Sequence, residues 1–285
     1  MLFTVANALE RKSDLDLVSD SAALDIELLL SHVLEKDRSW LKTWPDFQLN
    51  EEQKQCFHDL FDRRVKGEPV AFILGFKGFW TLDLAVNSHI LIPRPETELL
   101  IDIALNLDLP EDSKVVDLGT GSGAIALALA SERSSWKILA TDSECEALKL
   151  AEFNRGALHL PNVEVCYSDW YNLFADCELL PSYELIVSNP PYIEKNDPHL
   201  QQGDVRFEPR SALIAGTDGL DALRVIIEQA PLYLSTDGWL VVEHGYNQGK
   251  LVQKLFDLAG FKQITTYIDL NKQDRVTSGC WTGLA

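Results

Sequence analysis

The chain has 285 residues, 46% hydrophobic and 24% charged, which is enough apolar mass for one large domain or for a small domain beside a medium one. Its formal net charge is −19 and it has no Lys/Arg run, which argues against direct binding to nucleic acid and suits either simple solubility or a basic protein partner. No apolar stretch approaches the roughly 20 residues that span a bilayer, and Met1 to Asp20 lacks a basic segment followed by an apolar run; no membrane contact and no signal peptide are expected, and a cytoplasmic location follows.

Residues 1–74 read as a helical domain. Ser21 to Leu34 carries Leu24 and Leu28 at helical spacing, with Asp20 or Ser21 as its cap. Asn50 followed by Glu51-Glu52-Gln53 caps a second helix, with Phe57, Leu60, Phe61 and Val65 on one face and a stop at Gly67. Trp40 and Trp44, four apart, are expected to pack inward. Residues 75–93 change pattern: Phe76, Phe79, Trp80, Leu82, Leu84 and Val86, with glycines at 75 and 78, suggest a β-hairpin linker. Pro93-Arg94-Pro95-Glu96-Thr97-Glu98 then forms a rigid bend feeding a helix that runs to about Leu107, with Pro95 and the two glutamates suited to its first turn.

The third segment, 94–285, alternates strand and helix from Lys114 onward. Strands are predicted at 114–118, 136–141, 163–167, 183–188, 238–243, 261–268 and 275–281, and helices near 123–133, 144–157, 219–235 and 247–259. That alternation predicts an α/β fold with a mostly parallel seven-stranded sheet and helices on both faces. The segment 193–218 is long, polar and rich in turn residues, the kind of loop that carries function or moves. Cys56, Cys145, Cys166, Cys177 and Cys280 form no CxxC pair and are odd in number, so they read as reduced thiols, with no zinc site or other metal site and no disulfide framework.

Chemistry concentrates at the carboxyl ends of the strands, where ligands bind in this architecture. The first strand ends in Asp117-Leu118-Gly119-Thr120-Gly121-Ser122-Gly123, whose glycines let the backbone approach a ligand closely. Taken alone this is a weak signal, and Gly119, Gly121 and Ala124 also satisfy the loose pattern of a nicotinamide-binding turn. Asp142 ends the second strand, about 20 residues on, where a carboxylate can accept both hydroxyls of a ribose. Ser168-Asp169-Trp170 follows the third strand; it can hydrogen-bond an adenine amino group and stack on its ring. Asp117 lies where it can reach an ammonium through backbone or water, whereas a pyrophosphate cofactor would gain little from its charge. S-adenosylmethionine fits all of these positions.

The fourth strand, Tyr183 to Ser188, opens onto Asn189-Pro190-Pro191-Tyr192. Each proline fixes φ and removes an N–H donor, so the tetrapeptide is rich in acceptors. The Asn189 side-chain oxygen and the Pro190 carbonyl can both point at one spot and hold the two hydrogens of a planar –NH2 group, while Tyr192 walls the slot. A poor nucleophile of that kind needs placement and electrostatic help more than a strong base.

The glycine turn 119–123, Asp142 and Asn189 to Tyr192 together resemble a class I S-adenosylmethionine-dependent methyltransferase with a Rossmann-like sheet. The string Leu91 to Glu98, the Gly-Phe-Trp hairpin before it, Glu243-His244-Gly245 and Asp274-Arg275-Val276 narrow the resemblance to the peptide chain release factor glutamine methyltransferase family (HemK/PrmC type), and it covers essentially the whole chain. The resemblance implies N5-methylation of the glutamine in the Gly-Gly-Gln loop of class I release factors, with S-adenosylhomocysteine as the other product, by a monomeric enzyme whose residues 1–74 recognise the substrate. Carried residue by residue, Gly119, Thr120, Gly121, Ser122, Gly123, Asp142, Asp169, Trp170 and Asn189 would bind the cofactor; Asn189, Pro190, Pro191 and Tyr192 would bind the glutamine, with Asn189, Pro190 and Tyr192 catalytic. Family members often carry another aromatic at the Trp170 position. The alternatives are a methyltransferase for another protein glutamine, such as one on a ribosomal protein, or for nucleic acid adenine; a nicotinamide oxidoreductase and a non-catalytic release-factor binder complete the set.

Overall fold

A computed structural model describes residues 3–175 and 180–283 of the chain; Cys177 lies outside them. Five helices come first: α1 (Val5–Glu10), α2 (Ala22–Leu34), α3 (Arg38–Thr43), α4 (Glu51–Val65) and α5 (Val70–Leu74). Polar caps set their starts. Thr4 and Asn50 close reciprocal capping boxes with Asn7 and Gln53, and Asp37 accepts the Trp40 N–H. Ser21 precedes α2 as expected, but its hydroxyl donates to the Asp25 carboxylate rather than capping the backbone. Ile26, Leu29, Leu30, Phe57 and Phe61 form the core of this unit with Val5 and Leu41. Trp44 departs from expectation and is 57% exposed. It sits at the non-helical C-cap of α3, so the four-residue spacing from Trp40 no longer places the two on one face; Trp40 instead packs edge-on against Phe47. Leu24 and Val65 also lie outside the core, where Ile26 and Phe61 take the inward positions.

Two strands follow, β1 (Phe76–Phe79) and β2 (Leu82–Ala85), then α6 (Glu98–Leu105) behind a 3₁₀ turn at Pro95–Thr97. From there the chain runs β3 (Lys114–Leu118), α7 (Ala124–Glu132), β4 (Lys137–Asp142), α8 (Cys145–Ala157), β5 (Val163–Tyr167), β6 (Tyr183–Ser188), α9 (Asp221–Gln229), β7 (Leu234–Glu243), α10 (Gly249–Leu258), β8 (Lys262–Ile268) and β9 (Asp274–Trp281). The last seven strands form one sheet in the order β5-β4-β3-β6-β7-β9-β8. Pairings among β5, β4, β3, β6 and β7 are parallel, and β9 pairs antiparallel with both β7 and β8. Two apolar layers flank it: Leu100, Ile101 and the alanine-rich α7 on one side, and Leu223, Ile226, Val252 and Phe256 on the other. The chain winds outward in opposite directions from β3 and β6, which makes their carboxyl ends a topological switch point. The hairpin is tied to this unit by Asn154, whose side-chain amide exchanges two hydrogen bonds with the Ala85 backbone and donates a third to the Ser122 carbonyl.

The largest boundary differences from the sequence reading lie between 219 and 238. The helix predicted over 219–235 stops at Gln229, and β7 begins at Leu234 rather than 238. Pro231 lacks the N–H an α-helix needs and sits within a 3₁₀ turn, Ala230–Leu232, instead. The polar stretch Ser235-Thr236-Asp237-Gly238 is a distortion within the strand: Asp237 takes a positive φ of 64°, and the register with β6 shifts between Tyr183 and Leu185. Cys56, Cys145, Cys166 and Cys280 are free thiols. No helix among the described residues is long and apolar enough to cross a membrane.

The segment Pro198–Phe207 clusters with Met1–Phe76, while Lys77–Asp197 and Glu208–Ala285 form the sheet-bearing unit. Arg64 of α4 bonds into that segment. Its side chain is 3% exposed; it donates to Asp25 at 2.6 Å, to Asp204 at 3.0 Å and to the carbonyls of Gly67 and Glu68. Asp25 is the buried one of its two carboxylate partners, and Asp204 is 38% exposed, so loss of Asp25 leaves a buried charge paired only with a partly exposed one. Asp25→Ala is therefore expected to cost the helical unit about 2–3 kcal/mol, below the roughly 3–5 kcal/mol of a fully unpaired buried charge, read by urea unfolding; a loss under about 1 kcal/mol would contradict the role given to this pair.

Candidate active site

The glycine turn after β3 is held by its neighbour strand and by a buried carboxylate. The N–H groups of Gly119 and Thr120 both donate to the Thr141 carbonyl at 2.9 and 2.8 Å. Asp117, fully buried beneath the turn, accepts from the Thr120 hydroxyl at 2.6 Å and the Ala126 N–H at 3.2 Å; its other oxygen has no partner. Burial pushes the Asp117 carboxyl up to about 7 against the pull of those two donors. Gly121 and Gly123 take φ of +57° and +85°, which disfavours any side chain, and a Cβ at Gly123 would stand 2.9 Å from Leu127. Nothing stands within 4 Å of a Cβ placed on Gly121, so the turn opens outward there.

Asp142 ends β4 facing that turn. One oxygen accepts the Gly121 N–H and the other the Glu144 N–H, each at 2.9 Å, which leaves a lone pair on each for a further donor. Burial raises its pKa, against the backbone N–H bonds to Glu144 and Gly121. After β5, Ser168 accepts the Leu173 N–H and donates to the Trp170 carbonyl at 2.7 Å. That turn holds Trp170 at φ +50°, with its half-buried indole 3.5 Å from where a Cβ on Gly119 would be.

Asn189 follows β6. Its Nδ2 donates to Thr97 Oγ1 at 3.0 Å, and Thr97 donates to Glu243 Oε2 at 2.6 Å. Glu243 Oε1 accepts the Tyr192 hydroxyl at 3.2 Å. Asn189 Oδ1 is buried and has no partner. The Glu243 carboxyl is pushed up to about 7, first by burial, while the Thr97 hydroxyl, the Arg275 charge and the Tyr192 hydroxyl act in the other direction. Tyr192 is raised by burial and by Glu243. Beyond Tyr192 the chain is pinned twice. Gln248 donates to the Tyr192 and Gly219 carbonyls, and Ile193 bonds across to Leu213 and Ala215. Glu208, fully buried at its side chain, accepts from Arg94 of the bend at 2.6 and 2.8 Å.

These pieces surround one open cavity, about 960 Å³ when the solvent space of its mouth is counted. Gly119, Thr120, Gly121, Ser122, Asp142, Asp169, Trp170, Asn189 and Pro191 line it. Gly123, Pro190 and Tyr192 do not: Gly123 caps α7, Pro190 is buried, and the Tyr192 hydroxyl turns to Glu243. Thr97, Ile90 and Ser211 also line the cavity and were not singled out from the sequence. Thr97 stood within the quoted Arg94–Glu98 string, where it read only as part of a bend.

Residues 95–205 match the family described as methyltransferase small domain. The crystal structure of a methyltransferase from Pyrococcus furiosus aligns with a TM-score of 0.54 over 79% of this chain and 99% of that one, at 15% identity, a likeness of fold alone. Fold, switch-point cavity and family match define an S-adenosylmethionine-dependent methyltransferase. Residues 10–75 match the family described as PrmC N-terminal domain. The release factor glutamine methyltransferase of Pseudomonas aeruginosa is 52% identical over 263 residues, 92% of this chain and 94% of that protein. The protein of the same name from Escherichia coli (strain K12) is 45% identical over 262 residues, 92% and 93% of the two chains. The chain belongs to the release factor glutamine methyltransferase family.

The raised carboxyl of Glu243 has a pH signature. Below its unfolded value of 4.5 it is protonated in both states, and the fold keeps its full stability at this group. As pH rises through about 7, the folded group must ionise in a buried site that the unfolded chain does not impose. On the order of 3 kcal/mol is lost across that window. Glu243→Gln is expected to remove this component, so urea unfolding should show the variant gaining on the wild type between pH 5 and pH 8. A stability difference that stays constant across that range would contradict it.

Proposed function

We propose that this chain transfers a methyl group from S-adenosylmethionine to the side-chain amide nitrogen of the Gly-Gly-Gln glutamine in class I release factors. The observation that carries the reading is the buried, unpartnered Asn189 Oδ1, on a residue that lines the cavity. An acceptor in that state is costly unless a donor arrives, and a primary amide brings two N–H donors. The relatives' name supplies the substrate, and a charge of −19 disfavours the nucleic acid alternative.

The cavity suits the cofactor. Asp142 has lone pairs left for a ribose diol, the Trp170 face suits adenine, and Asp169 stands beside it as a polar partner. The turn from Gly119 to Gly123 brings the backbone to the cavity's edge without side-chain bulk. When bound there, S-adenosylmethionine supplies an electrophilic methyl group on a sulfonium, with S-adenosylhomocysteine left behind. Asn189 Oδ1 accepts one amide hydrogen of the glutamine; Pro190, buried and outside the cavity lining, fixes the backbone between Asn189 and Pro191. Pro191 lines the approach, and Tyr192, fixed by Glu243 and Gln248, holds the tetrapeptide's course. The Asn189 acceptor aims the amide nitrogen at the methyl group. The nitrogen gains a methyl and gives its displaced proton to water. The residues contribute placement and electrostatics.

Mass spectrometry of a release factor incubated with the protein and S-adenosylmethionine should show one added methyl on the Gly-Gly-Gln glutamine. A methyl on nucleic acid or on a ribosomal protein instead would overturn the substrate. Asn189→Ala should lower turnover by on the order of 10²-fold while S-adenosylhomocysteine affinity by calorimetry changes far less. Wild-type turnover in the variant would sink the role of Asn189.

A further inference from the structure

An asparagine amide has two nearly isosteric orientations, which differ in whether the NH2 or the oxygen meets Thr97. Which one this site adopts is set by Thr97 and Glu243. With Glu243 ionised, the Thr97 hydroxyl gives its single proton to Glu243 Oε2 at 2.6 Å, so a lone pair is what it presents to Asn189. The Asn189 NH2 must then face Thr97, at 3.0 Å, and its oxygen must face away. A flipped amide would set oxygen against oxygen at Thr97 and present two donors to the cavity. Thr97 and Glu243 are 3% and 1% exposed, so water does not compete for these bonds. Glu243 is itself anchored from its other oxygen by the Tyr192 hydroxyl. A buried polar cluster that served the fold alone would satisfy its members. This one is satisfied at Thr97 and Glu243 and leaves a single acceptor unpaired, on a residue of the cavity lining.

We propose that Thr97 and Glu243 are positioning residues that lock the Asn189 amide with its oxygen toward the cavity, and so make the site select an –NH2 donor over a carboxylate. The proposal rests on the reading of Asn189 as the substrate's acceptor. It assigns to a bend 92 residues upstream the discrimination between glutamine and glutamate side chains. A carboxylate offers no proton to Asn189 Oδ1, whereas a primary amide offers two.

Thr97→Val keeps the shape of the side chain and removes both the lone pair and the hydroxyl proton; Thr97→Ser keeps both. Kinetics on release factor should show kcat falling roughly 10- to 100-fold in Thr97→Val, with KM and S-adenosylhomocysteine affinity within about 3-fold, and Thr97→Ser recovering to within about 3-fold of wild type. A purely structural role would lower stability without this split or rescue. A folded Thr97→Val enzyme that keeps wild-type kcat overturns the proposal, as does a Thr97→Ser enzyme no better than Thr97→Val. A second readout needs no substrate. The Asn189 side-chain amide signal in ¹⁵N NMR, identified by its loss in Asn189→Ala, should exchange slowly with solvent in wild type and Thr97→Ser and quickly in Thr97→Val. Unchanged protection in Thr97→Val overturns the proposal. Because this measurement is independent of methylation, it stands even if release factor proves not to be the acceptor, a result that would remove the substrate reading alone.

Discussion

The hydrogen bond from Asn189 to Thr97 joins the end of β6 to the bend before α6, and the chemistry of the cavity depends on it. The bend is stiff for local reasons: Pro95 leads a 3₁₀ turn, and the Thr97 N–H closes onto the Arg94 carbonyl. Arg94 in turn reaches the buried Glu208 carboxylate beyond the tetrapeptide, so the bend is held from the far side of the loop as well. The result is a rigid donor–acceptor chain, Tyr192 and Thr97 into Glu243 and Asn189 into Thr97, that ends in one free oxygen. Precise placement of a weak nucleophile is where such a chain has its effect, since misplacement by a fraction of a bond length removes much of the advantage of proximity.

Burial of acidic groups is the second theme. Asp117, Asp142 and Glu243 all lie at the carboxyl edge of the sheet, and burial raises the pKa of each. Each is compensated by neighbours rather than by a full ion pair. Asp117 has the Thr120 hydroxyl and an N–H of α7, Asp142 has two backbone N–H groups, and Glu243 has two hydroxyls and the more distant charge of Arg275. The carboxylates thereby fix the glycine turn, the second strand end and the Asn189 amide, three features that a ligand in this cavity would meet at once.

Much of this was readable from short strings. The glycine turn, Asp142, Asp169-Trp170 and Asn189 to Tyr192 each follow a strand whose apolar run is plain, and strand–helix alternation alone brings strand ends to one edge. Cap residues such as Asn50 were legible for the same reason, since capping is decided within four residues. Thr97 and Glu243 were not, although both stood inside quoted strings. Their roles depend on strand order: β7 lies beside β6 with Ser188 opposite Val242, so the next step along the pair brings Glu243 level with Asn189. Nothing in either string states that neighbourhood. The pairing of Arg64 with Asp204, 140 residues apart, was hidden likewise, and with it the clustering of Pro198–Phe207 with the N-terminal helices. Trp44 and the early start of β7 were misjudged because a C-cap and a strand distortion break the periodicities on which the reading relied.

The most direct test is a crystal structure of this protein with S-adenosylhomocysteine and the release factor bound. The proposed geometry predicts the glutamine side-chain nitrogen about 3 Å from Asn189 Oδ1, with Asn189 Nδ2 still on Thr97. A glutamine amide seated away from Asn189, or one that presents its oxygen to an inverted Asn189 amide, would contradict it.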